Sequence, residues 1–259
     1  MATFLFDKIV FGPVISRRLG ISLGINLLPV NSKVCSFDCI YCECGRNPHG
    51  QKPGIKLPDR LEVKTKLEEV LSKMKDENRL LDVITFAGNG EPTLHPQFAE
   101  IIEDTVILRN QFAPEARIAV LSNATMLHKA AVVEALLKVD DNIQKLDSAF
   151  METIQILDCP AGNYDLAKVV DQLKAFHGKV IVQTMFVRGT YKGAAFDNTV
   201  DREVSAWIEL LKEIRPSLVM IYTIARDTPV DTVEKVPYVQ LQGIARKIKA
   251  EGLKVQVSG

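Results

Sequence analysis

Two patterns of apolar and polar residues alternate along most of the chain. Short, continuous apolar runs are followed by longer stretches in which apolar residues recur every three or four positions. The first arrangement is typical of buried strands and the second of amphipathic helices. We predict strands at 22–30, 81–87, 116–121, 142–146, 179–187 and 217–224, a last short strand at 253–257, and helices at 59–77, 97–111, 129–138, 165–177, 201–214 and 237–252.

This alternation predicts an α/β fold. Strands that alternate with helices favour right-handed βαβ units and a parallel sheet. The chain holds about six such units, which are too few for a closed eight-stranded barrel. A separate apolar segment at 4–11 predicts a strand or hairpin arm. We therefore divide the chain into an N-terminal arm at 1–20 and a single barrel domain at 21–259.

Composition narrows the class of protein. The 259 residues are 47% hydrophobic and 25% charged, which is enough for one large core. The 32 basic and 32 acidic residues cancel, so the overall field does not favour a nucleic-acid partner, although a local basic patch stays open. No apolar run reaches the roughly 18 residues of a membrane span, and the N-terminus lacks signal-peptide features. We expect a cytoplasmic protein without a membrane partner, since a reducing compartment suits clustered thiols.

Three of the five cysteines fall in the loop that follows the first barrel strand. Cys35, Cys39 and Cys42 have the spacing C-x3-C-x2-C, so their thiolates can converge on one soft metal centre. Three thiolates leave one iron of a 4Fe-4S cluster open, whereas electron-transfer clusters usually have four cysteine ligands. The alternative is a zinc site that adds Cys44, but zinc cysteines usually come as two separated pairs. A disulfide is a weaker alternative.

A glycine-rich segment, A-G-N-G-E-P-T-L at 87–94, follows the second barrel strand. Glycines allow the backbone to approach a ligand closely, and exposed carbonyls can accept hydrogen bonds from an ammonium group. Glu91 would buttress the turn or lie near that positive charge. Alone, the segment would be an ordinary turn motif, but its position one βα unit after the cysteine loop indicates a shared site.

Together the cysteine spacing, the aromatic Tyr41 before the last cysteine and the Gly-Glu-Pro segment resemble the radical S-adenosylmethionine (radical SAM) superfamily. Here G-N-G-E-P stands where the family has G-G-E-P. The resemblance implies an open (β/α)6 partial TIM-like barrel with a 4Fe-4S cluster on Cys35, Cys39 and Cys42. It also implies S-adenosylmethionine bound to the open iron, an electron from a flavodoxin or ferredoxin donor, and a 5'-deoxyadenosyl radical that abstracts hydrogen from substrate.

The resemblance also implies which residues hold the cofactor, with the main chain near Tyr41 contacting adenine. The remaining candidates from the resemblance are Gly88, Asn89, Gly90, Glu91, Pro92, Ser122 and Asn123. Gln183 and Arg188 are added as cofactor candidates because they lie on and directly after the predicted strand at 179–187. For Asn123 or Thr125 the alternative is an N-cap of the next helix. Ligands in parallel α/β folds bind at the carboxyl ends of the strands. The candidates for catalysis or substrate contact are therefore residues at or just after predicted strand ends, namely Lys145, Asp147, Tyr222 and Arg226.

A narrower resemblance rests on G-P-V-x-S-R-R-L-G, C-S-F-D-C-I-Y-C-E, G-N-G-E-P-T-L-H-P, K-L-D and I-Y-T-x-x-R-x-T-P. These segments resemble the Fe-S oxidoreductase group that includes the wyosine-forming tRNA enzyme, 4-demethylwyosine synthase. That enzyme is a two-cluster protein with further cysteines upstream, whereas no cysteine precedes Cys35 here. Neither Cys44 nor Cys159 readily completes a second cluster. The substrate therefore stays open between a small molecule, a nucleoside, a protein and tRNA.

Two alternatives to an enzyme with its own substrate remain. One is an activase that installs a glycyl radical on a partner protein, and the other is a non-catalytic, zinc-stabilised binding domain. The arm offers one further feature, because Arg17 and Arg18 lie next to turn glycines. Two arginines in such a turn could clamp a carboxylate or phosphate, or they could be ordinary surface residues of a loop.

Overall fold

The computed structural model describes residues 4–48 and 56–259. Within these residues the chain forms eleven strands and seven α-helices. The strands are β1 (Val10–Ser16), β2 (Gly20–Ile25), β3 (Val83–Phe86), β4 (Arg117–Ser122), β5 (Asp141–Lys145), β6 (Ile181–Met185), β7 (Val187–Tyr191), β8 (Ala194–Asp197), β9 (Leu218–Tyr222), β10 (Val233–Lys235) and β11 (Val255–Ser258). The helices are α1 (Arg60–Asp76), α2 (Phe98–Phe112), α3 (Ala130–Leu136), α4 (Met151–Leu157), α5 (Leu166–Lys174), α6 (Asp201–Ile214) and α7 (Tyr238–Ala250).

Eight strands form one curled sheet in the order β1-β2-β3-β4-β5-β6-β9-β11. Strand β1 pairs antiparallel with β2, and every other neighbouring pair in this sheet is parallel. Such a sheet, with helices between its strands, is the predicted partial barrel, and the prediction of the fold class is confirmed. The last predicted short strand is also present as β11, which adds a seventh parallel strand beside β9.

Local signals account for several helix ends. The side chain of Asp59 accepts a hydrogen bond from the amide of Glu62 at 2.8 Å and begins α1, and Asp165 does the same at the start of α5. Such N-caps typically stabilise a helix by about 1 kcal/mol. Helix α4 was not predicted from the sequence; it spans seven residues and has no side-chain cap.

Three predictions for the strands are wrong in detail. The strand predicted at 22–30 is β2, which ends at Ile25. The apolar segment at 4–11 becomes a strand only from Val10. The predicted strand at 179–187 is divided between two sheets. β6 ends at Met185 in the barrel sheet, and Val187 begins β7, which belongs to a separate three-stranded sheet with β8 and β10. The change occurs where the amide of Met185 bonds to Asp147 and the amide of Val187 bonds to Asn198, each at 2.9 Å.

The core lies in three clusters. The largest packs the helices against the outer face of the sheet, with Phe86 and Trp207 among its buried side chains. A second cluster supports the cysteine loop through Phe37, Ile40 and Leu157. A third, inside the barrel, brings together Leu19, Val83, Ala119, Ile143, Ile181 and Met220. Among the described residues no helix is long and apolar enough to cross a membrane.

The β1–β2 turn links the two edges of the open sheet. The Arg17 guanidinium donates to the carbonyl of Gly259 at 2.8 Å, and the side-chain amide of Gln256 donates to the carbonyl of Arg18 at 3.1 Å. Residues 17 and 18 precede β2 at one edge, while Gln256 lies on β11 at the other. The arm is thus tied to the last strand and places Arg18 beside the barrel interior.

Candidate functional site

The glycine-rich segment holds one side of the cysteine loop. The amide of Val34 donates to the carbonyl of Asn89 at 2.9 Å, and the amide of Glu91 donates to the carbonyl of Val34 at 3.1 Å. Gly90 lies between these bonds with φ of +138°, and a Cβ there would stand 1.8 Å from the Val34 oxygen. Only glycine therefore fits this position, because any side chain would push the cysteine loop away.

Residues after α4 hold the other side of the loop. The amides of Asp38 and Ile40 donate to the carbonyls of Asp158 and Leu157, each at 2.9 Å. Asn47 closes the loop on itself, since its side-chain amide bonds to the carbonyls of Cys35 and Phe37 at 3.1 and 3.0 Å. A loop with its main-chain groups paired in this way presents its cysteines from a defined backbone.

A buried cation accompanies the cysteines. Lys33 is 3% exposed, and its ammonium lies 3.2 Å from an Asp38 carboxylate oxygen and 2.9 Å from the carbonyl of Gly45. Burial lowers the pKa of Lys33, but the neighbouring groups, with Cys42 first, outweigh it and raise the pKa. Lys33 therefore stays charged beside the three thiols. Sequence reasoning missed it, because a lone lysine in a loop carries no signal.

The three cysteines of the motif line one cavity of about 300 Å³ at the carboxyl ends of the parallel strands, together with Tyr41. Six more residues predicted to bind the cofactor lie on the wall, namely Gly88, Gly90, Glu91, Ser122, Asn123 and Gln183. Lys145 and Tyr222 also line it. The structure thus brings together residues from the carboxyl-terminal parts of six different strands and the loops that follow them. This volume lies at the lower end of the range for ligand pockets.

Five predicted residues lie away from this wall. Asn89 is fully buried and joins the arm to the barrel through the carbonyls of Phe6 and Pro29, and Pro92 begins a short 3-10 helix. Asp147 lies beneath Tyr41. Arg188 pairs with Glu234 at 3.2 Å in the three-stranded sheet, and Arg226 pairs with Glu43 at 2.5 Å on the surface. None of the three lines the cavity.

Glu91 and Asn123 connect the glycine-rich segment to the end of β4. A Glu91 carboxylate oxygen accepts the amide of Asn123 at 2.6 Å, and the other accepts the amide of Thr93 at 3.0 Å. Burial raises the pKa of Glu91, while these donors oppose the rise. Asn123 forms a local turn with Thr125, and α3 begins only at Ala130 after Lys129. The N-cap alternative for Asn123 and Thr125 is therefore wrong.

A buried polar network underlies the cavity next to Cys39. The ammonium of Lys145 lies 2.9 Å from Asp147 and 3.6 Å from Asp158, and the Tyr41 hydroxyl bonds to Asp147, to Asp158 and to Lys145. The predicted Lys145 and Asp147 thus pair with each other, as two charges on one buried strand end require. Of these two charged residues, only Lys145 lines the cavity.

Asp158 completes this network. Burial, followed by the adjacent Asp147 carboxylate, raises the pKa of Asp158 to about 7, and Lys145 opposes the rise. One Asp158 oxygen lies 3.4 Å from the Cys39 sulfur. The Asp158 carboxyl group can therefore retain a proton near neutral pH. Sequence reasoning missed Asp158, because it follows the unpredicted helix α4 and belongs to no motif.

The donor set fits an iron-sulfur cluster better than a single ion. In residues 4–48 and 56–259 no group of three or more His, Cys, Asp or Glu side chains is placed to hold one metal ion. A cluster holds its irons at separate corners, so its thiolates stand around it. The three motif sulfurs meet that requirement by facing one cavity, while Cys44 bonds to the carbonyl of Gly88 and Cys159 to that of Ile156.

Comparison with known proteins identifies the superfamily. The family model described as the radical SAM superfamily matches residues 32–202, more than half of the chain. The matched region runs from the cysteine loop through β3, β4, β5 and β6 and so includes most of the cavity wall. This chain therefore belongs to the radical SAM superfamily, whose members are enzymes.

Curated relatives match most of this chain. GTPase Obg of Brachyspira hyodysenteriae is 30% identical over 225 residues, which are 85% of this chain and 30% of that protein. A UPF0026 protein of Helicobacter pylori is 29% identical over 84% of this chain and 67% of its own length. A UPF0026 protein of Synechocystis is 31% identical over 85% of this chain and 77% of its own length. The chain therefore spans less than a third of the first relative.

Solved structures share the fold. A radical SAM methyltransferase from Sphaerobacter thermophilus superposes with a TM-score of 0.67 at 14% identity, over 92% of this chain and 65% of that one. Streptococcus suis SuiB bound to S-adenosylmethionine gives 0.62 at 15% identity, over 90% of this chain and 50% of that one. Likenesses at such identity show the fold alone. The narrower resemblance to the wyosine-forming group stays a prediction.

Proposed function

We propose that this protein binds a 4Fe-4S cluster through Cys35, Cys39 and Cys42 and cleaves S-adenosylmethionine reductively in the adjoining cavity. One observation carries the proposal: the three motif thiols share a single cavity with residues from the carboxyl-terminal parts of five other parallel strands and the loops that follow them. Ligands of parallel α/β folds are bound at this edge of the sheet. The two remaining cysteines do not line this cavity, which sets the motif apart from the rest of the thiols.

The glycine-rich segment suits the methionine part of the cofactor. Gly88 and Gly90 present backbone without side chains on the cavity wall, so their carbonyls can accept an ammonium group. Ser122 and Asn123, at the end of the next strand, add a hydroxyl and an amide to the same side. The main chain near Tyr41 would receive the adenine. Relatives in fold include a protein whose structure holds S-adenosylmethionine, which supports this assignment.

Other residues set the electrostatics of the site. Lys33 is buried beside the cysteines and carries a positive charge that offsets part of the negative charge of three thiolates. The network of Tyr41, Lys145, Asp147 and Asp158 is buried and internally paired, so it gives the wall next to Cys39 a fixed shape.

When bound, the cluster and S-adenosylmethionine would supply a 5'-deoxyadenosyl radical for hydrogen abstraction. The chain's own part is then to hold a substrate against the side of the cavity formed by β5, β6 and β9. Lys145 and Tyr222 end β5 and β9, Gln183 lies in the middle of β6, and all three line that side. An electron donor of the flavodoxin or ferredoxin type completes the proposal, since the first step needs one electron from outside.

Iron-sulfur reconstitution under anaerobic conditions tests this function. We expect the parent protein to take up about four irons, as a 4Fe-4S cluster requires, and to form 5'-deoxyadenosine when dithionite and S-adenosylmethionine are added. Cys39→Ala should lose both properties, because it removes one of three cluster ligands. Cys159→Ala is the matched control, since Cys159 is a free thiol that does not line the cavity. Cleavage activity in Cys39→Ala, or one zinc per chain in the parent, would refute the proposal.

A further inference from the structure

Arg18 lines the cavity from the arm, on the side of β9. Its guanidinium carbon lies 4.4 Å from the centre of the Tyr222 ring, and Tyr222 ends β9. One terminal nitrogen, Nη1, is buried and has no hydrogen-bond partner in the part of the chain that the structure describes. A buried donor without a partner is rare and costly in a folded protein. Such a donor on a cavity wall indicates that a ligand supplies the acceptor.

The charges around the cavity set Arg18 apart from the other cations. Lys33 pairs with Asp38 at 3.2 Å, and Lys145 pairs with Asp147 at 2.9 Å. Arg18 forms no ion pair with any carboxylate within residues 4–48 and 56–259. The two glutamates on the cavity wall have other partners. Glu43 pairs with Arg226, and Glu91 accepts hydrogen bonds from the amides of Thr93 and Asn123.

Hydrogen bonds hold the Arg18 backbone, and an aromatic ring contacts its guanidinium. The amide of Arg18 donates to the hydroxyl of Ser16 at 3.3 Å, and its carbonyl accepts the side-chain amide of Gln256 at 3.1 Å. The Tyr222 ring supports the face of the guanidinium through a cation–π contact. This contact leaves Nη1 without a hydrogen-bond partner among the described residues, and the fork of N–H donors of a guanidinium can bind an oxyanion.

We infer that Arg18 binds an oxyanion of the substrate, a carboxylate or a phosphate, at the β9 side of the cavity. A guanidinium matches both groups because its donors fit two oxygens at once. The inference rests on the proposed function, which makes this cavity the active site. It names the substrate class as a small molecule, or the end of a larger one, that carries such an anion.

The position of Arg18 favours substrate over cofactor. The segment proposed to hold the methionine part follows β3, and Ser122 and Asn123 follow β4. In the sheet order β3-β4-β5-β6-β9, the strand that carries Tyr222 lies three places beyond β4. This order places β5 and β6 between the residues proposed to hold the methionine part and Tyr222, which favours a substrate group as the ligand of Arg18.

Calorimetric titrations with inorganic phosphate and with succinate test this inference, on the purified chain with and without the reconstituted cluster. Loss of one charge-assisted contact predicts that the anion that binds has a dissociation constant about 10- to 100-fold higher in Arg18→Gln. Arg18→Lys should retain part of the affinity, because it keeps the charge but not the fork. The two probes distinguish a carboxylate site from a phosphate site by which one binds more tightly.

Arg17→Gln is the matched control, because Arg17 is exposed and, among the residues that the structure describes, its side chain bonds only to the carbonyl of Gly259. It should bind the anion as the parent does. Binding of S-adenosylmethionine separates the two proposals: if Arg18→Gln loses the cofactor rather than the anion, the inference is overturned. It is also overturned if neither probe binds the parent or if both bind Arg18→Gln equally well. An Arg18-dependent anion site in a protein that never cleaves S-adenosylmethionine would refute the proposed function alone.

Discussion

The two ends of the barrel interior differ in chemistry, although the same strands build both. At the amino end Ile143, Ile181 and Met220 belong to an apolar cluster that also includes Leu19. Two residues further along these strands stand Lys145, Gln183 and Tyr222, which line the cavity. Because side chains two apart on a strand face the same side, these residues occupy successive layers of one interior face.

The comparison teaches where this fold tolerates buried polar groups. The apolar layer closes the amino end and needs no partners, so its contribution is the burial of apolar surface. In the next layer toward the carboxyl end, each polar group has a partner or lines the cavity. Lys145, for example, pairs with Asp147 and Asp158. Buried charges without such partners would cost several kcal/mol. The change from apolar to polar therefore marks the boundary between scaffold and site.

The largest effect is expected at Gly90, where the carboxyl end is most crowded. In Gly90→Ala a Cβ would meet the Val34 carbonyl oxygen, so the start of the cysteine loop must move. We expect iron uptake on reconstitution to fall close to zero while helical content, measured by circular dichroism, remains.

The control for this change is Gly193→Ala. Gly193 also has a positive φ, +80°, but nothing lies within 4 Å of an added Cβ. It should lose about 1–2 kcal/mol of stability from backbone strain and keep its iron. Normal cluster content in Gly90→Ala would contradict the role of this glycine in holding the loop.

The amino end should show the opposite response. Ile143→Ala removes buried methyl groups from the apolar layer, where Ile143 is 1% exposed, and should lower the free energy of unfolding by about 2–5 kcal/mol. Denaturant titration measures this loss. Iron uptake below the unfolding transition should match the parent, because no cavity residue changes. Val239→Ala, at an exposed position of α7, serves as the control with little loss. Reduced iron uptake by folded Ile143→Ala would show that the two layers are not separable.

The smallest expected effect is a dependence of folding stability on pH that arises from His95, the residue after the glycine-rich segment. His95 is buried, with Nε2 2.8 Å from the Pro58 carbonyl and Nδ1 accepting the amide of Gln97 at 3.1 Å. Burial lowers the pKa of His95, opposed by the Pro58 carbonyl. The unfolded chain therefore takes up this proton first as pH falls below about 6.5. Stability that is present above that pH is lost on acidification, by at most about 1.4 kcal/mol per pH unit.

Denaturant titrations at several pH values between about 7.5 and 5 check this dependence. His95→Gln cannot take up the proton, so the difference in stability between parent and variant should shrink as pH falls. An unchanged difference across this range would show that His95 does not contribute to the acid response.

Much of the site could be predicted from residues that are close in sequence. The cysteine spacing and the Gly-Glu-Pro segment predicted two neighbouring loops, and the structure joins them through Val34 and Glu91. Position at or near a strand end predicted Lys145, Gln183 and Tyr222 on the cavity wall. The same rule misplaced Arg188 and Arg226, because the chain leaves the barrel sheet after Met185 and after Tyr222.

The sequence by itself determined the periodic alternation of strands and helices, and with it the parallel α/β architecture and the superfamily motifs. These depend on local spacing and on the chemistry of single residue types. Tertiary structure decided which distant groups meet. In the folded chain Asp158 lies next to Cys39, and Arg18, on the arm, contacts Tyr222 on β9, next to the last strand of the sheet. No local pattern encodes these contacts, because each depends on how the whole sheet curls and on which edge the arm reaches.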